Sequence, residues 1–166
     1  MATITLGGKP FQTNGEIPQP GDALKSFELV TDSLTRKSLS DYTGKRLVLN
    51  IFPSVDTGVC AASIRKFNQE SASLENTTVL CISRDLPFAQ KRFCGAEGIE
   101  NVEMLSDFET GDFSKDYGLY AMDGGFKGLS ARVVIVTDEN HKVIYSEQVP
   151  EIGQEPDYES ALKALK

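Results

Sequence analysis

The sequence predicts an α/β fold: a central mixed β-sheet flanked by helices, with an N-terminal β-hairpin extension. Three observations carry this. Two short apolar runs, at 47–52 and 78–83, are each followed by residues with helical rather than alternating spacing, and a strand–helix–strand–helix order implies parallel pairing. Residues 132–137 and 143–149 are strand-like and flank the polar turn Asp138-Glu139-Asn140-His141, which implies an antiparallel pair. At the start, Gly7-Gly8 separates 3–6 from 9–13 as the two-residue turn of a hairpin.

Taken in order, the hairpin gives way to a loop at Pro18, Pro20 and Gly21, a short strand at 27–30 and a turn over 39–45. Leu47-Val48-Leu49-Asn50-Ile51-Phe52 is the first interior strand, ended by Pro53, which has no N–H for a ladder. From 57 to about 74 the apolar residues Cys60, Ile64, Phe67 and Leu74 recur on one helical face. A strand at 78–83 follows, then a helix over 87–93 that Gly95 is expected to stop. A shorter helix around 113–117 ends at Gly118, and Gly124, Gly125 and Gly128 form a permissive loop before the strand at 132. A last helix, about 156–165, buries Tyr158, Ala161, Leu162 and Leu165. No repeat or linker divides the chain, so all 166 residues are expected to form one domain.

Composition narrows the function. A formal net charge of −7 and no basic run oppose nucleic acid and anionic lipid as partners. The N-terminal residues carry no basic, apolar leader and no stretch approaches a membrane span, so the expected location is the cytoplasm. Three cysteines, at 60, 81 and 94, cannot all pair within one chain and fit a reducing compartment. They form no Cys-x-x-Cys pair and their separations suit no common site, so no metal is expected. The glycines at 124–128 lead into a strand without Gly-Lys-Ser/Thr, which excludes a phosphate loop.

The most informative stretch is Pro53-Ser54-Val55-Asp56-Thr57-Gly58-Val59-Cys60. With Thr57 as N-cap, Cys60 is the third residue of a helix, where free N–H groups and the macrodipole favour a thiolate. A nucleophile at the first βα junction makes the arrangement thioredoxin-like. The plainer readings are that Cys60 is a small core residue, Thr57 only a cap and Arg132 an ordinary strand-edge cation. Packing explains Cys94, near a helix stop, as well as catalysis does; Cys81 is a buried strand residue and His141 a solvated turn residue.

Pro53, Thr57 and Cys60 match Pro-x-x-x-Thr-x-x-Cys, and the chain here resembles the peroxiredoxins. The resemblance extends through Cys94, placed like the resolving cysteine of the atypical two-cysteine thiol peroxidase branch, and through Gly128-Leu129-Ser130-Ala131-Arg132, similar to its arginine strand. The final helix, with Pro156-Asp157-Tyr158, is also similar. Gly58 and Gly125-Phe126 depart from the common pattern and leave the reacting groups in place.

The resemblance implies a peroxidase acting on hydrogen peroxide and organic hydroperoxides in antioxidant defence. Cys60 is the peroxidatic nucleophile and Cys94 the resolving partner in a Cys60–Cys94 disulfide. Thioredoxin is the reductant, no cofactor is bound, and a homodimer is expected. Thr57 and Arg132 hold the peroxide and Pro53 shields the pocket.

Groups beyond the thiolate are needed on energetic grounds. Lowering a thiol pKa from about 8.5 to about 6 raises its thiolate fraction at pH 7 roughly thirtyfold. Lost nucleophilicity takes back about tenfold, leaving roughly threefold. Charge stabilisation must supply the rest. A Cys60 sealed in hydrocarbon, titrating normally and inert to hydroperoxides, would defeat this reading. A thiol–disulfide oxidoreductase would need a second cysteine where Thr57 stands, and a peroxide-sensing protein would pass its oxidation to a client.

Overall fold

Seven strands form one mixed sheet, and a two-stranded hairpin outside its hydrogen-bonded order packs on it through Ile4 and Phe11. The structure is a computed structural model and describes residues 2–165. The hairpin is β1 (Thr3–Leu6) and β2 (Lys9–Gln12); the sheet begins with β3 (Glu28–Thr31) and β4 (Arg36–Ser38). Then come β5 (Arg46–Ile51), α1 (Gly58–Ser71), β6 (Thr77–Ser83), α2 (Pro87–Glu97) and β7 (Glu103–Ser106). The chain ends with α3 (Asp112–Asp116), β8 (Val133–Thr137), β9 (Val143–Gln148) and α4 (Tyr158–Lys163), and the sheet order is β4-β3-β7-β6-β5-β8-β9.

The central strands read as continuous apolar runs because both faces are covered. Leu47, Leu49, Ile51, Leu80, Ile82, Val133 and Ile135 belong to the core on one face, with Phe11 of the hairpin and Phe113 and Tyr117 at α3. Val48, Phe52, Val79, Cys81, Val134 and Val136 belong to the other, with Cys60, Ile64 and Phe67 of α1, Phe93 of α2 and Ala161 of α4. Fully burying a side chain such as Phe67 contributes about 1.5–3 kcal/mol. β5 pairs parallel with β6 and β6 with β7, while β5–β8 and β8–β9 are antiparallel.

Several boundaries differ from expectation. Gly95 lies inside α2, and the helix ends at Gly98, whose φ of 66° is the left-handed cap. The strands β4 and β7 appear where none was predicted: β4 is a charged edge and β7 is only four residues long. Arg132 precedes β8 rather than opening it. Of the predicted contacts of the last helix, Ala161 and Leu165 are buried, whereas Tyr158 and Leu162 are half-buried. His141 is not simply solvated: it is half-buried with φ 62°, and its Nε2 lies 2.9 Å from the Tyr42 carbonyl oxygen. Among the described residues, no helix is long and apolar enough to cross a membrane.

Candidate active site

The turn from Pro53 to Thr57 joins β5, in the middle of the sheet, to α1. Pro53 is buried at its start. Thr57 has the extended backbone of an N-cap, yet its hydroxyl caps nothing: Oγ1 donates to the Ser54 carbonyl at 3.1 Å. That bond turns the threonine side chain back into its own turn.

Cys60 is the third residue of α1 and is 0% exposed. A sulfur open to solvent, which a reacting thiol requires, is therefore not what this conformation presents. Its backbone carbonyl accepts from Ser63 Oγ at 2.8 Å, and Asn50 Nδ2 reaches both Ser63 Oγ at 3.3 Å and Cys81 Sγ at 3.7 Å. A buried polar thread thus runs beneath the first turn of α1.

Thr57 and Arg132 line one small cavity of about 100 Å³ together with Val59, Phe126, Ile152 and Leu6 of the hairpin. Elements far apart in sequence meet here. Arg132 is 2% exposed; its Nε donates to the Ile152 carbonyl at 2.8 Å, while Nη1 is buried without a partner. A buried guanidinium with a free donor is costly and fits a site awaiting an anion.

Tyr158 of α4 adds a group that sequence reasoning placed only in the core. Its phenol pKa is raised, first by burial and then by the hydrogen bond and charge of Glu155; the Arg132 charge lowers it and Cys60 raises it. Tyr158 therefore lies within electrostatic reach of both Arg132 and Cys60. Its ring packs edge-on against Phe67, with centroids 5.4 Å apart.

Cys94 is elsewhere. It sits half-buried on α2 and lines a separate cavity of about 390 Å³ with Asp32, Lys37, Ile99 and Glu103. Burial pushes its thiol up to about 11, and the negative charge of Asp32 adds to the rise. Burial pushes Cys81 up to about 12, opposed by the Asn50 hydrogen bond and reinforced by Cys94. All three cysteines are free. The structure thus brings Thr57, Arg132 and the start of α1 together, and leaves Cys94 apart.

Two ion pairs tie the cysteine-bearing segments to each other: Arg92 to Asp56 at 2.9 Å and Arg65 to Glu97 at 3.1 Å. Among the described residues no group of three or more histidine, cysteine or acidic side chains is arranged to hold a metal.

A thiol at the first βα junction of a thioredoxin-like sheet, with a threonine and a buried arginine sharing one cavity beside its helix, defines a redox-active α/β protein. Comparison with known proteins narrows this. The Redoxin family matches residues 19–162. The chain is 58% identical over 165 residues to thiol peroxidase of Corynebacterium glutamicum, covering 99% of each. A crystal structure of a peroxiredoxin-like protein from Aquifex aeolicus superposes with a TM-score of 0.93 at 37% identity, covering 99% of this chain and 96% of that one. Thiol peroxidase from Chromobacterium violaceum shares the fold, with a TM-score of 0.91 at 24% identity over 98% and 94% of the two chains. The chain belongs to the Redoxin family, among its peroxiredoxin oxidoreductases of the thiol peroxidase kind.

Proposed function

We propose that the chain reduces hydrogen peroxide and organic hydroperoxides through Cys60, with Cys94 as the resolving thiol and thioredoxin as the reductant. The Cys60 thiolate attacks one peroxide oxygen, the O–O bond breaks, and the leaving oxygen departs with a proton as water or an alcohol. Cys60 is left as a sulfenic acid. Arg132 donates to the oxygens as negative charge moves onto the departing one, Thr57, whose own proton goes to the Ser54 carbonyl, holds the peroxide by accepting its O–H, and Pro53 keeps water from the turn. The observation that carries this reading is the cavity shared by Thr57 and Arg132, in which a fully buried guanidinium keeps an unpartnered donor.

Cys94 then condenses with the sulfenic acid, forming the disulfide and releasing water. The thioredoxin dithiol reduces that disulfide and is itself oxidised. The Cα atoms of a disulfide lie about 4.4–6.8 Å apart, so the first turn of α1 and the part of α2 carrying Cys94 unwind to bring the sulfurs together. Unwinding also lifts the burial that keeps the Cys94 thiol protonated, so the nucleophile becomes reactive where it is needed. The enzyme works as a single domain in the cytoplasm and as a homodimer, for which the exposed Leu86 and Phe88 at the start of α2 offer apolar surface.

The test is a pair of variants in a thioredoxin-coupled peroxidase assay. Cys60→Ser abolishes peroxide consumption; Cys94→Ser consumes one equivalent and stops, with intact mass showing one oxygen added at Cys60. Full steady-state turnover by the Cys60→Ser protein overturns the proposal.

A further inference from the structure

The end of β6 carries a polar cluster that the proposed chemistry does not use. The carboxylate of Asp85, two residues beyond the strand, accepts from three groups. Oδ1 takes the Ser54 hydroxyl at 2.7 Å; Oδ2 takes the Val55 N–H at 2.9 Å and the Ser83 hydroxyl at 2.6 Å. Ser54 and Val55 are the two residues that follow Pro53. Ser54 in turn takes the Thr57 hydroxyl on its carbonyl, and its own Oγ accepts the Asp56 N–H at 3.1 Å. Among the described residues, the polar links from Ser54 and Val55 to the neighbouring strand's end therefore converge on one side chain.

The same cluster reaches the other parts of the site. Gln90, fully buried on α2 one turn before Cys94, donates from Nε2 to Ser83 Oγ at 3.2 Å. Arg84 turns the opposite way, and its Nη1 donates to the Gly128 carbonyl at 2.7 Å, four residues before Arg132. A carboxylate close to a reacting thiolate opposes its negative charge, so electrostatics alone gives no reason for an acid here. Geometry does: a carboxylate accepts several hydrogen bonds at once, and charge-assisted bonds hold their donors more firmly than neutral ones.

We propose that Asp85 is a positioning residue of the peroxidatic turn, holding Ser54 and Val55 so that the Thr57 hydroxyl and the Cys60 sulfur meet the same peroxide molecule. This rests on the function proposed above. Asp85 touches no substrate; it acts through Ser54 and Thr57. Loosening the turn misplaces Thr57 relative to the sulfur, and a misplacement of about 1 Å costs a reaction on the order of a hundredfold. Alkylation of the thiol by a small neutral reagent needs no threonine and is spared.

Asp85→Asn tests this because it keeps the size and removes the charge and part of the acceptor capacity. The rate of Cys60 oxidation by hydrogen peroxide in a single turnover is compared with the rate of its alkylation by iodoacetamide. Asp85→Asn is expected to lose about 10–100-fold in the first and less than about threefold in the second. Ser54→Ala, which removes the Oδ1 arm together with the acceptor of the Asp56 N–H and leaves the Oδ2 arm to Val55, is expected to show the same selectivity with a smaller loss, and it decides the matter if Asp85→Asn does not fold. Equal losses towards both reagents, or no loss towards peroxide, overturn the proposal. If instead the unaltered protein fails to consume peroxide through Cys60, the proposed function falls, and the two failures are distinguished.

Discussion

Replacing Arg132 by methionine should separate activity from stability. The guanidinium is 2% exposed and, among the described residues, has no ion-pair partner; its protein contact is the Nε bond to Ile152. Burying an ion costs several kcal/mol even after the protein relaxes, and a single hydrogen bond from a charged donor returns about 1.5–3 kcal/mol. Methionine fills much of the volume with no charge, at the cost of leaving the Ile152 carbonyl short of a partner by about 1–3 kcal/mol. The two sides nearly cancel, so Arg132→Met should match the unaltered protein in stability or exceed it. Catalysis should suffer: losing a preorganised donor to developing charge costs about 2.7–4 kcal/mol, or roughly 10²–10³ in kcat/KM. Urea denaturation gives the first quantity and initial peroxide rates the second. A variant destabilised by more than about 2 kcal/mol and still within tenfold of full activity would show that Arg132 is a structural cation and the argument is wrong.

Two further outcomes follow from the same geometry. The Arg92–Asp56 and Arg65–Glu97 pairs are exposed and worth at most about 1 kcal/mol each, so Arg92→Ala or added salt should speed formation of the Cys60–Cys94 disulfide by up to about fivefold in single-turnover mass analysis, leaving Cys60 oxidation unchanged. The Glu151 carboxyl is held down to about 2 by the backbone N–H groups of Gly153 and Gly8, with a hydrogen bond from Thr5 adding to them. An unfolded glutamate titrates near about 4.3, so this tie is intact above that pH and is lost as pH falls through about 2. Hydrogen exchange of residues 3–12 should rise over that window, and Glu151→Gln should show raised exchange at neutral pH.

The strands legible in the sequence are those buried on both faces. β5 and β6 stand out as mostly apolar runs because their central residues are buried on both faces. β4, whose residues are Arg36, Lys37 and Ser38, carries no such pattern and exists only because β3 pairs with it. α2 ends at Gly98 rather than at Gly95, and glycine identity alone does not tell which of the two adopts the left-handed turn. Ile99 was the available signal: it directly follows Gly98, is 9% exposed, and sends its N–H to the Cys94 carbonyl at 3.0 Å.

The candidate site divides in the same way. Pro53, Thr57 and Cys60 are close in sequence, and their spacing alone sets them on one turn. Arg132 joins them through the sheet, because Ile51 pairs with Val133, the residue next to it. Asp85 left no periodic trace, since a side chain bonding to a distant turn follows neither the helical nor the strand repeat. The burial of Cys60 was equally invisible: helical spacing says which face a residue occupies, not how completely that face is covered.

The crossovers from β5 to β6 and from β6 to β7 step in the same direction across the sheet, so α1 and α2 lie side by side on one face. Neither sulfur has to travel around the protein to meet the other. In the proposed cycle the strands beneath are a base that both thiols share, and the local opening falls on two helical segments joined by exposed ion pairs that re-form at little cost.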